Sequence, residues 1–106
     1  MTLRPTPEFL SGSAVETVPC LIPAESEVVF ESDVWLEEIT LTNRSDGGVS
    51  VTVADRQEAP LEILPAIYMP GRSYYGVRFG ARFCPGGVAW VASAAGAAVG
   101  YLRGRR

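Results

Sequence analysis

A chain of 106 residues, 47% of them apolar, is the size of one domain built on one core. It contains no His and no Lys, so its nine basic residues are all Arg, set against twelve acids. That inventory excludes Ser-His-Asp and Cys-His catalysis, imidazole metal ligands, Schiff-base lysines and the lysine of a phosphate-binding loop.

The charges are separated along the chain. Every acid lies at or before Glu62, whereas Arg72, Arg78, Arg82, Arg103, Arg105 and Arg106 all follow it. Either the two halves neutralise each other inside one domain, or they form complementary faces that meet between subunits.

In chain order, residues 1–13 carry Pro5 and Pro7 and lack the apolar segment of a secretory signal. They are expected to form a flexible N-terminal arm, with Phe9 and Leu10 able to dock on the body or on a neighbour. Residues 14–106 are expected to form the folded domain. Residues 14–22 read as a weak first strand interrupted by Pro19, which assigns it to a sheet edge. Residues 27–31 give a short second strand.

Residues 36–53 carry the strongest signal. Ile39 and Leu41 alternate with Thr40 and Thr42, and Val49, Val51 and Val53 alternate with Ser50 and Thr52, the period of half-buried strands. The polar residues 43–48 between them contain Asn43, Asp46, Gly47 and Gly48, which favour turns. The segment therefore reads as a β-hairpin. The alternation slips by one residue at Glu37-Glu38. A β-bulge there would reconcile the two phases, or Val34 and Trp35 would belong to the preceding connection. Adjacent carboxylates on a regular strand face opposite ways and could flank one substrate bond only if a bulge turned them.

Past the charged loop at 54–60, residues 61–69 read as two short pieces or an edge strand, because of Pro65. Pro70-Gly71 marks a turn. Residues 73–80 alternate Tyr75, Val77 and Phe79 against Tyr74, Gly76 and Arg78, with Arg78 on the wet side. Phe83 is expected to anchor the crossover at 81–87. Residues 88–94 and 97–104 then read as a second hairpin, rich in Ala and Gly. Something must pack closely on it, either the facing sheet or a neighbouring subunit. The rhythm of about eight strands with frequent turn signals points to an all-β, single-domain, two-sheet β-sandwich, of jelly-roll or Ig-like topology.

The remaining motifs are modest. Pro85-Gly86-Gly87 and Pro70-Gly71 lack the downstream helix that a phosphate cradle needs. Asp46, Asp55 and Glu58 match no calcium loop, and Asn43-Arg44-Ser45 matches a glycosylation sequon without a secretory signal. Cys20 and Cys84 are expected as reduced, buried thiols, with a disulfide as the alternative. Tyr68, Tyr74, Tyr75, Trp35 and Trp90 would serve as core or interface residues, or as a sugar-stacking platform in a carbohydrate-binding module. Arg103, Arg105 and Arg106 make a small basic tail, and a sequence pI near 4.9 argues against general nucleic-acid affinity. No apolar stretch is long enough to span a bilayer as a helix. No catalytic residue, cofactor, metal, specific nucleic acid or membrane is expected.

The succession Ile39-Thr40-Leu41-Thr42-Asn43, then residues 49–55 (VSVTVAD), then Met69-Pro70-Gly71-Arg72, then residues 84–93 (CPGGVAWVAS) resembles a group of small β-sandwich proteins. These belong to the structural modules of tailed bacteriophages and prophages. The resemblance covers residues 34–102. It implies a non-enzymatic virion component of head, neck, tail or fibre, assembled in the host cytoplasm, working by self-association and docking. The expected partners are further copies of the chain and other virion proteins. Arg72, Arg78, Arg82, Tyr74, Tyr75, Arg103, Arg105 and Arg106 are the candidate interface residues.

Overall fold

In a computed structural model of the chain, residues 14–17, 19–57 and 62–105 are described; the expected arm at 1–13 and Arg106 lie outside the described residues. The alternating runs become strands: β1 (Ala14–Glu16), β2 (Cys20–Leu21), β3 (Glu27–Phe30), β4 (Val34–Asn43), β5 (Val49–Asp55), β6 (Glu62–Met69), β7 (Tyr74–Cys84), β8 (Val88–Ala92) and β9 (Ala98–Arg105). They pack as two antiparallel sheets, so the β-sandwich expectation holds. One sheet has the order β1-β9-β4-β7, with β2 also on β9; the other has the order β3-β8-β5-β6. Because β1 pairs with one end of β9 (Ala14↔Arg105) and β2 with the other (Leu21↔Val99), the two share one edge position. This is the broken first strand expected around Pro19, and the nine segments fill eight positions.

From β2 onward, every connection except β5–β6 crosses from one sheet to the other. The pairs β2:β9, β3:β8, β4:β7 and β5:β6 nest inside one another. That nesting is a long antiparallel ribbon rolled into a sandwich, and it decides for the jelly roll over the Ig-like alternative.

Two sequence readings need correction. Residues 36–53 are not a hairpin: β4 pairs with β7 and β9, while β5 pairs with β6 and β8. Nor are β8 and β9 a hairpin, since they too lie in opposite sheets. Period-two alternation states which face of a strand is buried. Two strands across a core alternate just as two strands side by side do. The connection at 43–48 is long enough to cross the roughly 10 Å between packed sheets, which a two-residue hairpin turn is not.

The core lies between the sheets. Val34, Leu36, Ile39 and Leu41 of β4 and Leu102 of β9 meet Val49, Val51 and Val53 of β5 and Val88 and Trp90 of β8, all buried. Each such side chain contributes roughly 1.5–3 kcal/mol by leaving water. Trp90 explains the small residues of β9, because a Cβ on Gly100 would sit 2.5 Å from its ring. The close packing inferred for this region comes from the facing sheet. The Trp90 indole N–H is satisfied by Glu27 Oε1 at 2.9 Å. The buried polar residues among those described are Asn43 and Asp55.

Candidate functional site

The parity slip in β4 is a bulge. Leu36 and Ile39 are both fully buried, so Glu37 and Glu38 between them both face outward. Pairing shifts register between Leu36 and Glu38 against β7 and against β9 alike. Val34 and Trp35 belong to the strand, not to the preceding connection. A bulge aims two successive side chains at one face, so this sheet carries two neighbouring carboxylates where a regular strand would carry one.

The neighbours come from β7 and β9. Glu38 stands opposite Arg78 and Arg103, and Trp35 stands opposite Arg105 and Phe83. Glu37 accepts from Arg105 Nε at 3.1 Å and lies 3.7 Å from Arg103 Nε. Thr40 Oγ1 donates to Glu38 Oε2 at 3.3 Å. Arg78 is exposed and has no ion-pair partner among the described residues. Glu37, Glu38, Arg78, Phe79, Gly80, Arg103 and Arg105 line a shallow, solvent-open recess of about 270 Å³. Trp35, paired with Arg105, packs on Phe83 further along the same face, their ring centroids 4.8 Å apart. Phe83 therefore does not anchor a crossover; it belongs to β7 and packs on the outer face.

The structure gathers some of the expected interface residues and scatters others. Arg78, Arg103 and Arg105 form the cluster. Tyr74 is on the same outer face but at its far end, opposite Thr42, and is 75% exposed. Tyr75 points to the core side and is half-buried. Arg82 stands opposite buried Leu36, also on the core side, so it does not join Arg78. Arg72 lies in the β6–β7 connection, where its Nε pairs with Asp46 Oδ1 at 2.9 Å. These three ion pairs each join an acid from the first half of the chain to an arginine from the second. The sequence-level charge separation is therefore offset inside the fold.

The aromatic residues do not form one platform. Trp35 and Tyr74 sit at opposite ends of the β4–β7 ladder, on the order of 20 Å apart at about 3.3 Å per residue. Tyr75 faces inward, Trp90 is buried and Tyr68 is exposed on the other sheet. Asp46 and Asp55 fall at opposite ends of the sandwich, in the β4–β5 connection and at the end of β5. Among the described residues no cluster of three metal-ligating side chains is present.

Both cysteines are free; Cys84 is buried and Cys20 half-buried. Cys20 pairs with Gly100, which pairs with Leu41, while Cys84 pairs with Val34 at the far end of the same strand. A spacing of that length rules out a bridge without rebuilding the sheet. Burial pushes the Cys84 thiol up to about 11; nearby Arg82 and a backbone hydrogen bond at Leu36 oppose this, and Asp55 adds to it. Cys20 is raised as well, by burial and then by Glu27. Both thiols behave as small apolar groups at neutral pH.

The sequence reading missed Glu37 as the organiser of the arginines. The parity slip was its signal, but nothing in the sequence tells which arginines lie across from it. Compared with known proteins, the sequence matches no family model and no curated protein.

Proposed function

We propose that this jelly-roll domain is a non-enzymatic assembly module, a virion component of the tailed-phage type, working through self-association and docking to other virion proteins. The observation that carries the reading is where the polar chemistry lies. The space between the sheets is filled by apolar side chains, while Glu37, Glu38, Arg78, Arg103, Arg105 and Tyr74 are displayed on the outer face of one sheet. A docking surface needs its charged and aromatic groups outside, and an interior ligand pocket would need them within. Jelly-roll wrapping is common in capsid proteins, and the strand-and-turn succession resembling phage structural proteins supports the same reading. Fold alone leaves function open, so the support rests on the fold, the surface and the resemblance together.

The test is the mass of the purified full-length chain by light scattering across a wide concentration range. A discrete oligomer is expected. A strict monomer at high concentration overturns the self-association part of the reading. The virion assignment is tested separately by the coding neighbourhood, where capsid, portal and tail genes are expected.

A further inference from the structure

The four edge positions of this sandwich are unequal. On the β6 edge Pro65 is exposed and the pairing with β5 shifts register twice. β3 has four residues and a register shift of its own, and β1 and β2 have three and two residues. Short strands, bulges and proline are the devices that stop an edge from pairing with another chain. β7 is different. It runs eleven residues, and its exposure alternates without a break from Tyr74 to Ala81, although its pairing with β4 shifts beyond Arg78. Among the described residues no strand pairs with its outer edge, which presents backbone donors and acceptors along roughly 25 Å of strand.

We infer that β7 pairs antiparallel with β7 of a second copy of this chain, about a twofold axis at Val77, to form a continuous eight-position sheet. This rests on the assembly reading and names its contact. The order of side chains along β7 suits a second copy of the same strand. With Val77 opposite Val77, outward Arg78 meets Gly76 of the second copy, and outward Tyr74 meets Gly80. Each large outer side chain thus faces a glycine. On the core side Tyr75 meets Phe79 twice, bringing together aromatic side chains that one copy leaves only half-buried. Aromatic cross-strand pairs are among the favourable ones, and like charges directly opposite are unfavourable. This register avoids setting the two Arg78 side chains directly opposite each other: each lies diagonal to Arg78 and to the Tyr74 ring of the other copy, with Glu38 of its own copy beside it to offset the charge. Centring the pair on Arg78 would set the two arginines face to face. An isologous contact of this kind closes as a dimer.

The register gives a signed test. A Cβ at Gly76 would meet nothing nearer than 3.9 Å, so the site accepts a side chain. Gly76→Arg puts an arginine opposite each Arg78 of the other copy and is expected to weaken the dimer at least tenfold in sedimentation equilibrium. Gly76→Glu is expected to hold or tighten it. Adding Arg78→Glu to Gly76→Arg is expected to restore association, because the opposed pair then has opposite signs. Circular dichroism melts confirm that each variant folds. Equal association of Gly76→Arg and Gly76→Glu in an oligomer that still forms overturns the β7 contact and leaves the assembly reading standing. A wild-type chain that stays monomeric overturns both.

Discussion

The two ends of the sandwich face the same task, carrying the chain from sheet to sheet, and solve it differently. At the end holding the β4–β5 and β6–β7 connections, one buried side chain ties the loops. The two Asn43 Nδ2 protons are shared among the carbonyls of Gly47, Met69 and Pro70, all at 2.8–3.0 Å, and its Oδ1 accepts from Ser45 N at 2.9 Å and Ser45 Oγ at 2.7 Å. Backbone bonds Asn43 N to Ser73 O and Arg44 N to Ala97 O bring in the neighbouring connections. At the opposite end buried Asp55 accepts from its neighbour Gln57 Nε2 at 2.7 Å, while the ties between loops are exposed: Arg56 Nη1 donates to Glu31 O and Gly86 O, and Gly86 N donates to Asp33 Oδ1. There the chain relies on backbone shape, with Gly87 at φ 108° in van der Waals conflict with Phe30 O for any added Cβ. A polar group sealed from water is costly to leave unmatched, whereas an exposed one exchanges its partner for water at little loss. Each end thus depends on a glycine set against a carbonyl, Gly71 on Asp46 O and Gly87 on Phe30 O, and the ends differ in that Asn43 ties two loops from a buried position where Arg56 does so from an exposed one.

The largest expected effect tests the glycine half of that comparison. Gly87→Ala is expected to lower unfolding free energy by roughly 3 kcal/mol or more, because strain in a left-handed position adds to overlap with a carbonyl. Urea denaturation reads it, and a change below 1 kcal/mol would show that the loop simply relaxes.

Asn43→Ala comes next, at about 2–4 kcal/mol, since it strips the donor from the buried Met69 carbonyl and from the part-buried Gly47 and Pro70 carbonyls. Asn43→Asp sharpens the point. A carboxylate aimed at three carbonyls has its folded pKa raised above the unfolded value. The stability of that variant should therefore be greatest at low pH and be lost as pH rises through the folded pKa. A variant whose stability instead rises with pH would overturn the donor role of Nδ2.

Arg56→Ala should cost least, about 0.5–1 kcal/mol, because its two hydrogen bonds are open to solvent. A loss equal to that of Asn43→Ala in the same melts would remove the distinction between the ends.

Much of this fold is legible in local pattern. Alternation at Ile39–Leu41, Val49–Val53 and Tyr75–Phe79 assigned inner and outer faces, Pro19 and Pro65 marked edges, and the slip at Glu37-Glu38 located the bulge. The site was half legible. Arg78 could be placed on the wet side of its strand, and Arg103 and Arg105 stood out as a basic tail. Strand parity puts Arg82 on the face of Arg78, and the register with β4 puts it on the core side instead, because the ladder shifts between them.

The sequence by itself determined that this chain is all-β, which face of most strands is buried, and which catalytic chemistries its residues cannot supply. Those properties follow from side-chain type and period-two geometry, which are local. The tertiary structure alone decided that β4 and β5 lie across the core from each other, that the acids of the first half meet the arginines of the second, and that β7 has no second strand partner among the described residues. Strand partners are chosen by contacts between residues far apart in the chain. Alternation is the same whether the neighbour lies beside a strand or opposite it, so only the assembled sheets could settle the pairing.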